Sequence, residues 1–141
     1  MNITKKQREL LFNKYDGKCA YCGCDLPKRW HVDHIEAVKR EFEFVKKDGY
    51  HIPKCTGVLE NPHLDRFDNL NPACPPCNHY KSSMPLESFR RELSHQVERA
   101  RESSKNFRFA EKFGQVVVQE SPIIFWFEKY EQYNEIGLER R

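Results

Sequence analysis

Apolar residues recur at helical spacing in two stretches of the chain. In the first stretch Thr4 and Gln7 form a capping-box pattern, and apolar residues follow until Gly17, which predicts a helix over residues 5–15. In the second stretch Pro85 suits the first turn of a helix. The apolar positions that follow it at spacings of three and four are Leu86, Phe89, Leu93, Val97 and Ala100. The other face of this second helix alternates arginine with glutamate, which is typical of a solvated surface.

Shorter patterns lie between and after these helices. Residues 30–35 are rich in branched and aromatic side chains and are predicted as strand-like. Residues 68–73, which are interrupted by Pro72, lead into the second cysteine pair. Residues 78–82 are predicted to open a short helix. Residues 106–113 form another short apolar-periodic segment, which Gly114 is expected to end as a helix C-cap.

The last third of the chain contains two β-type runs. Residues 116–118 and residues 123–127 are apolar, and Ser121 and Pro122 between them favour a turn. These features predict a C-terminal β-hairpin. The polar residues 128–141 that follow offer few side chains to a core, and we expect this end of the chain to fray.

The long connection between residues 36 and 67 has an ambiguous periodicity. The spacing of Phe42 and Phe44 favours a strand, whereas the spacing of Val38, Phe42 and Val45 favours a helix. Residues that favour loops are spread along it: Gly49, Pro53, Gly57 and Pro62. Both interpretations remain open on the pattern alone.

Composition and charge narrow the class of protein. A chain of 141 residues of which 38% are hydrophobic predicts one domain with a modest core that a bound metal would help to stabilise. Residues 1–6 lack the apolar run of a signal peptide, so we expect a cytoplasmic protein. The longest strongly apolar run, residues 123–127, is far shorter than the roughly 20 residues that cross a bilayer, so no membrane partner is expected. The net charge of +3 permits nucleic-acid binding without demonstrating it.

Cysteine spacing gives the most specific local signal. Cys19 and Cys22 form one C-x2-C pair, and Cys74 and Cys77 form another. Each two-residue gap lets both sulfurs of a turn approach one ion, so the four thiolates predict a structural zinc site that joins distant parts of the chain. A disulfide scaffold is not indicated, because six cysteines are too few and too unevenly placed.

The remaining two cysteines, Cys24 and Cys55, have no partner at matching spacing. We predict free thiols, and Cys24 is close enough in sequence to compete with Cys19 or Cys22 for the ion.

The cysteine pairs bracket residues suited to phosphate chemistry. His34 can act as a general base, because a neutral imidazole near its working pH takes a proton from water. Asp33 and Asn78 supply the oxygen atoms that hard cations prefer, and Mg²⁺ or Mn²⁺ fits such a shell together with retained waters. These residue types together predict a metal-dependent phosphodiesterase.

Several of these motifs occur together in the order found in a known family. The chain resembles the HNH nuclease family over roughly residues 15 to 82, a little under half of its length. The matching stretches are Cys19-Ala20-Tyr21-Cys22, His31-Val32-Asp33-His34-Ile35, Asp68-Asn69-Leu70 and Cys74-Pro75-Pro76-Cys77-Asn78-His79-Tyr80-Lys81. Two features depart from the usual pattern: an asparagine stands at the last position, as in some active members, and the connection over residues 36–67 is long.

The resemblance implies a fold and a residue at each key position. The fold would be a ββα-metal (His-Me finger) core, with His34 as general base and with Asp33 and Asn78 as ligands of the catalytic cation. Asn69 would take the central position, which orients the loop and the base more than it binds metal.

Three further residues are expected to face the substrate. By the same resemblance Lys81 would contact backbone phosphate, a contact that carries little sequence information. His79 is an alternative to Asn78 as ligand, or a phosphate contact. His31 would share a strand face with Asp33 and line the same groove.

The expected protein is therefore of the α+β class, with a nuclease core over residues 1–84 and a helix and hairpin extension over residues 85–141 packed on the same domain. The implied activity is nicking of DNA, double-stranded DNA foremost, with 5'-phosphate products. Standalone chains of this size resemble HNH proteins of phages and mobile elements, which suggests a protein partner from such a system. The alternatives are a module of the same fold that binds nucleic acid or protein, and an accessory subunit of a phage packaging or defence assembly that cuts only with its partner.

Overall fold

The computed structural model describes residues 2–135, with the side chains of residues 132–135 left out. This part of the chain is of the α+β class, with six α-helices and two separate two-stranded antiparallel sheets. The helices are α1 (Lys5–Asn13), α2 (Pro75–Lys81), α3 (Leu86–Ser94), α4 (Gln96–Ser103), α5 (Lys105–Lys112) and α6 (Trp126–Glu135). The strands are β1 (His31–His34), β2 (Arg40–Lys47), β3 (Tyr50–Leu59) and β4 (Leu70–Ala73).

The first sheet pairs β1 with β4 and leads directly into α2. Asp33 lies opposite Asn71, and His34 lies opposite Leu70. All four residues of β4 are buried. Pro75 lies in the first turn of α2, where a backbone N–H would have no partner within the helix, so its absence removes no hydrogen bond. The helix therefore begins directly after Cys74. The sheet therefore brings β1 and α2, which are distant in sequence, next to each other.

Two apolar clusters surround this sheet. One joins the cysteine pairs to α3 and to the segment before α6, and its buried members are Cys19, Tyr21, Ala73, Cys74, Phe89 and Phe125. The other packs α1 against β4 through Leu11, Trp30 and Leu70. The first cluster includes Cys19 and Tyr21 of the first cysteine pair, and the second uses Leu11 and Trp30, which lie on either side of that pair in the sequence.

The second sheet is a β-hairpin made by β2 and β3. The strand interpretation of residues 36–67 is therefore confirmed for residues 40–59, and the helix interpretation is wrong. Asp48 and Gly49 connect the strands with φ of 52° and 84°, and two positive φ angles match the right-handed twist of a tight hairpin. Sixteen of the eighteen strand residues are exposed, Val45 and Leu59 being partly covered.

The first predicted helix begins where expected but ends at Asn13, and the helix predicted after Pro85 is divided in two. The capping box of α1 is confirmed, because the Gln7 backbone N–H donates to Thr4 and the Thr4 N–H donates to the Gln7 side chain. The continuous helix expected after Pro85 instead divides at His95, whose φ of −90° and ψ of 3° interrupt the helical hydrogen bonds. The side-chain amide of Gln96 donates to the Glu92 carbonyl at 2.8 Å and so satisfies an acceptor at the end of α3.

The predicted C-terminal hairpin is wrong. Residues 115–125 form no strand, and α6 begins at Trp126. Phe125 is buried in the cluster around the cysteine pairs, and the Glu128 carboxylate accepts a hydrogen bond from its backbone N–H at 2.8 Å. The backbone N–H of Trp126 donates to the Tyr21 carbonyl at 3.0 Å. Residues 123–127 are thus apolar because they pack on the first cysteine pair, whereas Val117 stays 85% exposed.

The predicted polar tail falls partly outside the described residues, since α6 is described to Glu135 and residues 136–141 are not. Across residues 2–135, none of the helices has both the length and the apolar character that a bilayer crossing requires.

Candidate metal centre and adjoining polar site

Four cysteine sulfurs form a compact group at the junction of the two pairs. The Sγ atoms of Cys19, Cys22, Cys74 and Cys77 all lie within 4.8 Å of one another. Cys22 Sγ lies 3.8 Å from Cys74 Sγ. Four Zn–S bonds of about 2.3 Å in a tetrahedron place the sulfurs about 3.8 Å apart, so the donor set fits a metal ion such as zinc. Cys24 and Cys55 lie outside this group and are exposed.

Backbone hydrogen bonds build the first cysteine turn. The Gly23 N–H donates to the Cys19 carbonyl at 2.9 Å, and the Cys19 N–H donates to the Cys24 carbonyl at 2.8 Å. Gly23 has a φ of 75°, and a Cβ on it would lie 2.7 Å from the indole of Trp126. Glycine is therefore needed both for the turn and for the approach of α6.

Hydrogen bonding also prepares one sulfur for metal binding. The hydrogen bond from the Cys77 thiol lowers the pKa of Cys19 to about 4, although burial of Cys19 acts in the opposite direction. The same interaction raises the pKa of Cys77. A lowered pKa favours the thiolate of Cys19, which is the form that binds a metal ion. The Cys74 backbone N–H also donates to Cys19 Sγ at 3.3 Å.

Asp33 lies in a buried, hydrogen-bonded position between the cysteine group and α2. Its Oδ2 accepts a hydrogen bond from the Tyr21 phenol and lies 3.0 Å from Lys81 Nζ. Lys81 Nζ also donates to the His34 carbonyl at 2.7 Å. No hydrogen bond within residues 2–135 involves Asp33 Oδ1, so one carboxylate oxygen remains available.

The position of Lys81 corrects the sequence-based assignment. Its side chain has 0% of its surface exposed, and its charge is compensated by Asp33. The expectation that Lys81 contacts a backbone phosphate is therefore wrong for this arrangement, since a phosphate cannot reach a fully covered ammonium group. Lys81 instead joins α2 to β1 at the level of both Asp33 and His34.

Tyr21 connects the cysteine group to Asp33. It lies inside the first C-x2-C turn, and its ring is packed edge-on against Phe89 and Phe125. Burial, followed by the charge of Asp33, raises the pKa of Tyr21 above the ordinary value, so the phenol stays protonated and remains a donor. Sequence reasoning missed this role, because a residue between two cysteines carries no signal of what it contacts.

Asn78 and His31 meet across the interface of α2 and β1. Asn78 Nδ2 donates to His31 Nδ1 at 2.9 Å, which leaves Asn78 Oδ1 free to accept or to bind a cation. The neighbouring His79 is exposed, and its ring centroid lies 5.3 Å from that of His31. Both alternatives for the last position of the motif therefore lie against His31, Asn78 through a hydrogen bond and His79 through its ring.

His34 contacts a carboxylate that sequence reasoning did not identify. Its Nε2 lies 3.1 Å from Asp65 Oδ1, and the two side chains are 30% and 17% exposed. Asp65 follows the hairpin, 31 residues further along the chain, and no spacing rule marks it. A carboxylate on one imidazole nitrogen selects the tautomer and orients the ring, and it leaves the other nitrogen as the basic one.

Asn69 holds the loops around His34 in place. Its Oδ1 accepts from the Glu36 N–H at 3.0 Å, and its Nδ2 donates to the carbonyls of Glu36 and Leu64. Its own carbonyl accepts from the Ile35 N–H at 2.9 Å. The side chain therefore ties the chain on both sides of the hairpin to the strand that carries His34.

Asp33, His34 and Asn78 lie on adjoining elements, but the described residues show no direct hydrogen bond between their side chains. Lys81 links the side chain of Asp33 to the backbone of His34, and His31 links Asn78 to the same strand. The group offers two hard oxygen donors, one oriented imidazole and a buried compensating cation. Such a set can bind a divalent ion and accept a proton.

Searches of protein-family models, of curated proteins and of solved structures found no match to this chain.

Proposed function

We propose that the protein is a metal-dependent DNA endonuclease of the HNH type, which nicks double-stranded DNA and leaves 5'-phosphate ends. The observation that carries the proposal is the imidazole of His34, which is hydrogen-bonded to the Asp65 carboxylate. On the same strand, His31 contacts Asn78 and Asp33 contacts Lys81. The strand pair β1 and β4 followed by α2 is compatible with a ββα-metal core. The four thiols, in this proposal, hold a structural zinc.

The residues present fit a catalytic Mg²⁺ or Mn²⁺. Asp33 offers Oδ1, because Oδ2 is engaged by Tyr21 and Lys81, and Asn78 offers Oδ1, because its Nδ2 faces His31. Mg²⁺ commonly uses one or two protein oxygens and keeps several waters. When bound, such an ion stabilises the negative charge that develops on phosphate oxygens.

His34 supplies the base in this proposal. With Asp65 accepting the hydrogen on Nε2, the unprotonated Nδ1 is the nitrogen that takes a proton from water. Asp65 acts as a positioning residue, because it touches the imidazole and not the substrate. Lys81 and Asn69 hold the backbone on which His34 lies, so their contribution is also one of position.

The test is nicking of supercoiled plasmid by wild type, His34→Ala, Asn78→Ala and Asp65→Asn in Mg²⁺, in Mn²⁺ and in chelator. We expect open-circle product from wild type with a divalent ion, and a loss of roughly 10²–10⁴-fold for His34→Ala, the usual contribution of a general base. Asp65→Asn should lower kcat and change its pH profile while KM stays constant. Far-UV circular dichroism and zinc content establish that each variant is folded.

A matched control is His95→Ala, which removes an exposed histidine at the junction of α3 and α4. It should nick like wild type. Equal nicking by His34→Ala would exclude His34 as the base, and equal nicking in chelator would exclude the catalytic cation.

A second candidate function is a binding module of the same fold, or a subunit of a phage packaging or defence assembly that cuts only with its partner. The buried Lys81 favours it, because the charge of Asp33 is already compensated without a cation. Binding of DNA that stays intact in every divalent ion would support the binding module. Cleavage that appears only after addition of a partner would support the assembly subunit.

A further inference from the structure

The hairpin of β2 and β3, which we call the ribbon, has no core of its own. Its two strands pair with each other, and nearly all of their residues are exposed. A two-stranded hairpin alone is at best marginally stable in water. Large apolar side chains are nevertheless exposed on it: Phe42 by 60%, Phe44 by 72% and Tyr50 by 75%. Such a surface is typical of an element that contacts another molecule.

Charge is unevenly distributed along the ribbon. The outer half, residues 45–54, carries Lys46, Lys47 and Lys54 against a single Asp48. The inner part of the strands carries two glutamates against one arginine. The excess of positive charge is therefore at the far end, where a polyanion would be met first.

The pairing register puts cations beside apolar groups on both faces. Phe44 lies opposite Pro53, and Lys46 lies opposite His51, on one face. Val45 opposite Ile52, and Lys47 opposite Tyr50, lie on the other face. A two-stranded ribbon fits the DNA major groove, which is about 12 Å wide, and basic side chains on both faces can then reach the two bordering phosphate backbones.

The root of the ribbon is attached to the candidate active site. Asn61 accepts from the Lys39 N–H at 2.8 Å and donates to the Ala37 carbonyl at 3.0 Å, which closes the root. Asn69 ties Glu36 to the strand end that carries His34, and Asp65 follows the root on the other side. The ribbon and the strand that carries His34 therefore share one anchor.

We infer that the ribbon is a DNA-binding arm that inserts into the major groove and contacts backbone phosphates through Lys46, Lys47 and Lys54. This inference rests on the proposed nuclease function for its choice of DNA as the occupant. A second copy of the chain or another protein, held by Phe42 and Phe44, is the competing occupant.

The test compares Lys46→Gln/Lys47→Gln/Lys54→Gln with a control of equal charge change, Lys5→Gln/Lys6→Gln/Lys28→Gln, whose lysines are exposed outside the ribbon. Affinity for a fluorescent 30-base-pair duplex is measured by anisotropy over a range of salt concentrations without added divalent ions. Loss of three phosphate contacts makes the negative slope of log K against log salt shallower by about 2.7, and lowers affinity roughly 10²-fold at 0.1 M salt. Plasmid nicking should fall through KM with kcat retained, and the control should match wild type.

The outcomes separate the two proposals. Equal binding by wild type and the ribbon variant, with nicking retained, overturns the ribbon inference and leaves the nuclease proposal intact. Binding that depends on the three lysines, with no nicking by wild type, supports the arm and overturns the nuclease. No duplex binding by wild type overturns the arm.

Light scattering tests the competing occupant. If wild type is an oligomer and Phe42→Ser/Phe44→Ser makes it monomeric without weakening DNA binding, the ribbon is a protein interface and the inference is wrong. Wild type and variant of equal mass support the inference.

Discussion

The two sheets of this protein have the same local construction and opposite environments. Each is a single pair of antiparallel strands. The sheet of β1 and β4 is enclosed by α1, α2 and the cysteine pairs, and Leu70 and Ala73 have 0% of their surface exposed. The ribbon of β2 and β3 has longer strands and one of the tightest turn types, yet residues 2–135 leave nearly all of it uncovered.

The difference shows where the fold is held together. Short strands suffice where the four cysteines and two apolar clusters enclose them, because burial and not strand length supplies the stabilisation. The same kinds of residue therefore have unequal consequences in the two sheets. Three residues packed around the enclosed sheet, Cys74, Lys81 and Tyr21, have counterparts of the same type in the ribbon, which allows matched substitutions.

The largest expected difference concerns the cysteines. Cys74→Ser should leave the protein unfolded or destabilised by several kcal/mol, because binding of a structural metal is part of the folding free energy. Cys55→Ser in the ribbon replaces an exposed thiol and should change the free energy of unfolding by less than about 0.5 kcal/mol. Thermal unfolding and metal analysis measure both. A stable Cys74→Ser protein that never contained zinc would refute the metal centre.

The next difference concerns two lysine–carboxylate pairs. Lys81→Ala leaves Asp33 buried without its countercharge and should cost about 3–5 kcal/mol. Lys54→Ala breaks the exposed pair with Glu43, whose atoms are 3.8 Å apart, and should cost less than about 1 kcal/mol. Urea unfolding followed by circular dichroism measures both. Similar small losses at the two positions would mean that Asp33 is not buried as described.

The smallest difference concerns two phenols. Tyr21→Phe removes a hydrogen bond to the Asp33 carboxylate and should cost about 1.5–3 kcal/mol, whereas Tyr50→Phe, on a largely exposed ring, should cost less than about 0.5 kcal/mol. Burial raises the pKa of Tyr21 in the folded state. Above about pH 10 the unfolded chain therefore binds fewer protons than the folded one, and stability falls as pH rises.

Tyr21→Phe lacks this contribution, so its stability should decline less steeply than that of wild type at alkaline pH. Urea titrations between pH 7 and 11 provide the comparison. A wild-type curve parallel to that of Tyr21→Phe would contradict the buried position of the phenol.

Some of the site was accessible from local sequence. The C-x2-C spacing predicted four sulfurs that do come together, because a two-residue turn limits where the two sulfurs can point. The capping box of Thr4 and Gln7 predicted the start of α1, because its hydrogen bonds join residues three apart. The roles of His34, Asp33 and Asn78 remain predictions.

Other parts depended on contacts between distant residues. Residues 123–127 have the apolar content of a strand, but Phe125 packs against Tyr21 and Phe89, and a helix begins at Trp126. A lysine at position 81 is a residue type that commonly contacts phosphate, but helix α2 directs its side chain inward to Asp33. Periodicity and residue type do not distinguish these outcomes, because both are compatible with the same local pattern.

The sequence by itself determined the two C-x2-C turns and the start of the first helix, since these depend on spacings of a few residues. Only the tertiary structure decided that Lys81 is a buried partner of Asp33, that Asp65 holds His34 and that the ribbon stays exposed. The physical reason is that burial and long-range hydrogen bonds depend on which surfaces meet, and the sheet of β1 and β4 brings together residues about 50 positions apart in the chain.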